Sequence, residues 1–290
     1  MNIVIGMTWK ELTRKKVLLL TLILTILFLI VFWFIANTIT ARSGNTLEDF
    51  TIVQRFMNAS LLLSIGFFFG NFILAFLVIF SSFSAISGEA EVGIMQAALT
   101  RPLKRWQWYI GRWFGYVLFG WTYALVLYLS IIGVTAMHAT IPGDLLTNVQ
   151  SFALFALSVP ILVTVSLLGS TAFSAIGNGV LMTMLYGAGW LGGMVEKVTG
   201  TLQLKPDVQQ TMNNITGIIS LIMPVDAIQR KSLSTMLGME QLAGMLPGGR
   251  LGLTDIGLGQ IPSASFIVYA LVYMLVLLYW GIHRFQRKDL

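Results

Sequence analysis

The chain has 290 residues, a net charge of +6 and no cysteine; hydrophobic residues make up 56% of it and charged residues 10%. A soluble domain carries roughly a quarter charged residues, so a soluble globular fold is excluded. The lack of cysteine excludes disulfides, thiolate metal sites and thiol nucleophiles. Residues 57–88, 113–143 and 145–195 contain no Asp, Glu, Lys or Arg. A membrane-spanning helix needs about 20 mostly apolar residues. The composition therefore predicts an all-α, polytopic integral membrane protein. Its bases flank the apolar runs, which is the pattern of membrane orientation rather than of nucleic-acid binding.

Residues 1–16 place Ile5, Trp9 and Leu12 on one helical face and Lys10, Arg14 and Lys15 largely away from it. This predicts a short helix in the membrane plane, with Trp9 at headgroup depth. A basic flank that only orients the next helix would carry the same charges. The apolar run 17–36 exceeds the roughly 7–15 residues of a signal-peptide core, and no A-x-A site follows it. The first span is expected at 17–38 and the second, after a polar loop, at 57–86. Gly66 and Gly70 form a GxxxG pair there, which would mark close helix packing. The charged stretch 87–112 follows, then a third span at 113–137 and a loop at 138–148. The window 145–195 is too long for one helix, and the turn-rich FSAIGNG string at 173–179 divides it. That gives a fourth span at 151–171, with Pro160 inside it, and a fifth at 178–195. Residues 196–264 are mixed in polarity. Helices at 207–223 and 225–246 would begin after Pro206 and Pro224, too broken in apolar content to span, lying on or dipping into one face. Residues 246–262 read as a Gly-rich loop. The last span is expected at 265–282, before a basic tail.

Six spans put both termini on one side. Eleven of the 18 bases fall there, and five of the others lie in the long 196–264 segment, where charge bias is a weak guide. The termini and 87–112 are therefore expected in the cytoplasm and 196–264 outside.

Little chemistry is available within the chain. It has no GxxxxGK[ST] phosphate-binding loop and no HExxH. His138 and His283 fall at span ends on opposite sides of the membrane, too far apart to share a metal. No expected span has an ionisable residue in its interior, which argues against ion-coupled transport. Ser166, Ser170 and Ser174 have no base beside them in the pattern and read as helix-packing residues. The charged stretch stands out against this background. Ser87 can cap a short helix over 88–99 whose first turn holds Glu89 and Glu91, where the helix dipole favours acids. Its apolar residues include Ile94 and Met95. Pro102 disfavours helical geometry at Arg101 and can open the next helix. The result is a short helix beneath the membrane, then a sharp corner. Lipid attraction alone would need bases only, and leaves the two acids unexplained.

These residues resemble the permease subunits of type-2 ATP-binding-cassette exporters. The pattern is G-E-x-E-x-G, an apolar stretch, then (S/T)-(R/K)-P and an aromatic-basic run. It is matched here by Gly88, Glu89, Glu91, Gly93, Arg101, Pro102, Trp106, Gly111 and Arg112, with Ile94 where threonine is common. The string from Trp9 through Lys10, Glu11 and Arg14 to Lys16 resembles the family's elbow helix, and PVDAIQRKS from Pro224 a segment of its last external region. The resemblance implies one permease domain over 1–290, with an elbow helix at 1–16, a cytoplasmic coupling region at 87–112 and an external region at 196–264. It implies a second permease copy, identical or related, and two cytoplasmic ATPase subunits that bind ATP and Mg. The helix from Gly88, with Gly93, Ile94, Met95, Arg101 and Pro102, would be the coupling helix in a groove of the ATPase. Glu89 and Glu91 would touch the ATPase or hold the elbow helix through Lys10 or Arg14. The external helices would cover the exit of the pathway between the permeases. The chain itself would hold no cofactor, metal or catalytic residue. It would sit in the plasma membrane, by resemblance of a bacterium.

The expected function is export of an amphipathic or hydrophobic cargo, such as a peptide, lipid or drug, driven by the partner ATPase. The alternative is a permease-like mechanical transmitter acting on an extracytoplasmic protein. A membrane enzyme is disfavoured by the missing catalytic constellation.

Overall fold

A computed structural model describes residues 2–42, 52–91, 104–139, 144–201, 206–238 and 262–287. Among these the chain is helical, with no strand. The helices are α1 (Asn2–Arg14), α2 (Lys16–Arg42), α3 (Ile52–Ser82), α4 (Ser87–Glu91), α5 (Arg105–His138), α6 (Leu145–Ala172), α7 (Ala175–Thr201), α8 (Pro206–Ile222), α9 (Val225–Met236) and α10 (Ala264–Arg287).

Helices α2, α3, α5, α6 and α10 are long and apolar enough to cross a membrane. The expected fifth span, α7, is not among them. It has 27 residues, but glycines at 177, 179, 187, 189, 192 and 193 dilute its apolar surface. Those glycines work by packing instead. A Cβ at Gly189 would press on Met223, and one at Gly192 would press on Ile219 of α8. Small residues at helix interfaces are the usual means of close approach in membranes. The Gly66–Gly70 pair of α3 does the same: a Cβ at either position would come within 2.6 Å of Ile131 of α5.

The break between α6 and α7 falls at Phe173 and Ser174, within the turn-rich string. Ser174 is not a packing residue: its Oγ accepts the Gly177 N–H at 3.3 Å and so caps α7. Asn178, fully buried, then donates to the Ser166 carbonyl at 2.9 Å and the Phe83 carbonyl at 2.7 Å. From there α7 runs antiparallel to α3. Phe83 meets Gly179, Phe72 packs on Tyr186, and Phe68 packs on Trp190.

Pro160 sits inside α6 and cannot donate to the Ala156 carbonyl. The Trp121 indole of α5 donates there instead, at 3.0 Å. A neighbouring helix thus replaces the lost rung, as bilayer helices with proline require. One turn on, Trp113 Nε1 donates to Thr164 Oγ1 at 2.8 Å.

The helix expected at 207–223 is α8. The one expected at 225–246 is α9, which ends early because Gly238 takes φ 63° just past its last turn. The Gly-rich loop at 246–262 lies almost wholly outside the described residues.

Candidate functional site

α4 is the described beginning of the charged stretch. The chain leaves α3 at Ser82 and turns through 83–86. The Ile86 and Ser87 amides both donate to Ser170 Oγ of α6, at 3.0 and 2.9 Å. Ser87 Oγ lies 3.1 Å from the same hydroxyl, and Ser82 Oγ donates to Ser166 Oγ at 2.9 Å. Ser87 therefore does not cap: its side chain is engaged with α6, while the Gly88 and Ala90 amides bond back to Ser84 and Ile86. Ser166 and Ser170 are packing residues, as their spacing implied, and they anchor this turn.

Two acids diverge from it. Glu89 pairs with Arg112 Nη2 of α5. Arg112 Nη1 donates to Glu11 Oε2 of α1 at 2.5 Å and to Thr8 Oγ1 at 3.2 Å. Lys15 Nζ pairs with Glu11 Oε1 at 2.9 Å and donates to the Ser81 carbonyl at 3.2 Å. The run Glu89–Arg112–Glu11–Lys15–Ser81 closes a ring from α4 through α5 and α1 to the end of α3. Arg112 is 4% exposed, and its guanidinium lies 5.2 Å from the Trp108 ring centre. Burial raises the Glu11 carboxyl, but the Arg112 and Lys15 charges outweigh burial and hold it below the usual carboxylate range.

Glu91 does a different job. Its Oε1 accepts the Ala175 N–H at 3.0 Å, placing a negative charge at the N-terminus of α7. The two acids thus tie α4 to α5 and α1 on one side and to α7 on the other.

Sequence reasoning named several of these groups but paired them differently. The described ion pairs of Glu89 and Glu11 use Arg112 and Lys15; Lys10 and Arg14 lie on the exposed face of α1. The face of α1 that packs on the rest of the chain is Val4, Thr8 and Leu12; of the expected apolar face, Leu12 is buried, Ile5 partly so and Trp9 exposed. The reason is α5: a Cβ at Gly111 or Gly115 would collide with Val4 or Thr8, so α1 nests on two glycines. Trp9 is half exposed and turns its edge to Phe119, with ring centres 5.4 Å apart. Gly88 lies within α4. Gly93, Ile94, Met95, Arg101 and Pro102 lie outside the described residues.

A second ionic cluster was missed. Arg230 of α9 pairs with Glu196 of α7 at 2.7 Å and with Asp226, one turn back, at 3.1 Å. The three side chains are 5, 10 and 6% exposed. Gly193 makes room for the Asp226 carboxylate, since a Cβ there would overlap it. α9 is buried along nearly its whole length. Gln229 donates to the Phe67 carbonyl of α3 at 2.5 Å, and Ser232 and Ser151 of α6 exchange hydroxyl-to-carbonyl bonds at 2.7 and 3.0 Å. The visible signal was Asp226 four residues before Arg230, a helix pairing, inside a short polar helix that no lone surface position explains.

A search of curated proteins returns no match. The family model described as "ABC-2 family transporter protein" matches residues 4–290. With apolar helices of spanning length throughout and a buried charged junction at the start of α5, the chain is a multi-pass membrane protein of the ABC-2 transporter family, the permease part of an ABC transporter.

Proposed function

We propose that the chain is the permease of an ATP-driven exporter and that the segment beginning at Gly88 is its coupling helix, seated on a cytoplasmic ATPase. The observation that carries this reading is the ring Glu89–Arg112–Glu11–Lys15. A push on the segment that begins at Gly88 would pass through these charge pairs into α5 and α1 and, by Glu91, into α7. α1 serves as the elbow helix. The permease works as a pair, identical or related, with two ATPase subunits that bind ATP and Mg.

In this reading α7 also spans, as the fifth of six. From Asn178 to Glu196 it would cover about 27 Å at 1.5 Å per residue, against about 30 Å of hydrocarbon. Both termini then lie in the cytoplasm, and α8 and α9 cover the pathway on the outer side. The cargo is amphipathic or hydrophobic. A groove of about 420 Å³ between α2, α3 and α7, lined by Phe28, Phe32, Phe69, Phe72 and Trp190 among other apolar residues, suits an apolar moiety.

The test is pull-down of the solubilised chain from its native host with the neighbouring genes intact, to see whether an ATPase comes with it, followed by ATPase and transport measurements in vesicles. Glu89→Lys combined with Glu91→Lys is expected to release the ATPase or abolish its stimulation while the chain still inserts. Unchanged assembly and rate in that variant would sink the coupling-helix assignment.

A further inference from the structure

The last turns of α10 and the first turn of α5 form one end of the molecule, and they gather bases there. Arg284 and Arg287 of α10 and Lys104, just before α5, are exposed. Packing holds the two helix ends together. Tyr109 of α5 lies against Gly281, where a Cβ would overlap its hydroxyl, and its ring centre is 5.8 Å from that of Phe285. Arg105 Nη1 donates to the Gln286 carbonyl at 3.3 Å. Among the described residues Lys104, Arg284 and Arg287 form no ion pair. Neither α5 nor α10 contains an acid. Lys288 and Asp289, next in the sequence, are of opposite sign. We infer that this junction binds the phosphate of an anionic membrane phospholipid, of the phosphatidylglycerol class, whose acyl chain lies along the outer face of α10.

Helix periodicity fixes that face. Gly281 and Phe285 are buried on one side of α10. The opposite side carries Val272, Val276, Tyr279, His283 and Arg287, three or four residues apart, as positions on one helical face are. Val272, Val276 and Tyr279 are 53, 57 and 72% exposed. α10 is long and apolar enough to span, so the valines lie at hydrocarbon depth and the bases at headgroup depth. Tyr279, Trp280 and Trp106 are exposed between these levels or beside the bases, where aromatic rings mark the boundary in membrane helices. Residues 272–287 cover about 22 Å at 1.5 Å per residue, about half the thickness of a bilayer with its headgroups. One lipid of one leaflet fits that length.

Charge selects the occupant. Each base near an anionic surface is worth about a factor of five in affinity, and three are held here by two packed helices. A zwitterionic lipid would bring its own cation to the same bases. A second copy of this chain fits the face poorly. A two-fold axis along the membrane normal would set the same bases against one another at the same depth, with no acid on α5 or α10 to neutralise them. None of this depends on the ATPase or on the direction of transport.

The test uses the full chain in phosphatidylcholine vesicles with a trace of phosphatidylglycerol or phosphatidylethanolamine, each with the same photoreactive acyl chain. Labelled residues of α10 are mapped by mass spectrometry. Labelling at 272–279 is expected to be at least about tenfold greater with phosphatidylglycerol. Lys104→Gln, Arg284→Gln and Arg287→Gln together should bring the two lipids to equal labelling. Lys104→Arg, Arg284→Lys and Arg287→Lys together should keep the preference. So should Lys10→Gln, Arg14→Gln and Lys16→Gln, which remove the same charge from the exposed face of α1. Equal labelling of the native chain by both lipids, or a preference that survives the neutral triple variant at the junction, would overturn the site. Loss of the preference in the α1 variant would show that net charge alone sets it, which overturns the site as well. Labelling by neither lipid would show that protein covers this face, and the proposal would fail.

Discussion

The molecule holds two clusters built on one plan, an arginine between two carboxylates, and they differ in reach and in burial. Around Arg112 the acids come from α1 and α4, about a hundred residues apart in sequence at their widest with α5, and Glu11 is 37% exposed with Lys15 as a second partner. Around Arg230 the acids come from α7 and α9, and all three side chains are at most 10% exposed. The first cluster joins separate elements and can rearrange, because Glu11 keeps a base and touches water. The second is closed: Arg230 is held between two carboxylates away from water. A junction that transmits movement suits the first design, and a fixed support suits the second.

The largest effect is therefore expected at the closed cluster. Arg230→Leu takes from Glu196 and Asp226 the buried guanidinium they share, which costs roughly 3–5 kcal/mol. It should appear as a large loss of folded protein in a tryptophan-fluorescence melt of the purified chain. Adding Glu196→Gln and Asp226→Asn should recover most of that loss, because the neutral side chains no longer need the guanidinium. Recovery absent from the triple variant would show that Arg230 acts through packing.

Arg112→Ala takes the ion pair from the mostly buried Glu89 but leaves Glu11 with Lys15, and should cost less, about 1.5–3 kcal/mol for the lost hydrogen bonds to charged groups. Insertion should persist while ATPase stimulation fails. If the two arginine variants lose equal stability, the contrast drawn between the clusters is wrong.

A pH titration separates the clusters further. The Glu11 carboxyl lies below its ordinary value of 4.5 in the folded chain. Its contribution is thus fully present above pH 4.5 and is lost as pH falls through the lower folded value. Protease sensitivity at the α1–α2 junction should stay flat from neutral pH down to 4.5 and rise only below it. Glu11→Gln should abolish that rise. The smallest effect is expected for Glu91→Gln, which weakens one charged contact at the α7 N-terminus and should cost about 0.3–1 kcal/mol, read as a small shift in the same melt.

Much of the frame was legible because hydropathy and turn residues act locally. The break at Phe173 and Ser174, the start of α9 after Pro224 and the Gly66–Gly70 contact all follow from short strings. The charged junction was legible as a location, since acids and bases interrupt a charge-free chain. Its pairing was not. Glu11 meets Arg112 because Gly111 and Gly115 let α1 nest against α5, and that approach is a property of two helices together. The face of α1 that packs on protein was hidden for a related reason. In a bilayer the most apolar face can turn to lipid, so Trp9 and Met7 look outward while Val4 and Thr8 fit the glycines. α7 was expected as a span from length and lack of charge, whereas its glycines take it below the apolarity of the other five. The depth of α9 was hidden because its polar side chains are satisfied by α3, α6 and α7, partners distant in sequence.

Asn178 also bears on how the chain reaches the membrane. α6 leaves the ribosome first and is apolar enough to partition into lipid on its own. α7 follows after a two-residue turn, with a glycine-rich surface that gains little from lipid. An unpaired side-chain amide in hydrocarbon would hold it back further. Closing the turn brings that amide onto the carbonyls of Phe83, just past α3, and of Ser166 in α6, both synthesised earlier. In the six-span reading proposed above, the pair would insert as a hairpin, with the weaker helix carried in by its neighbour.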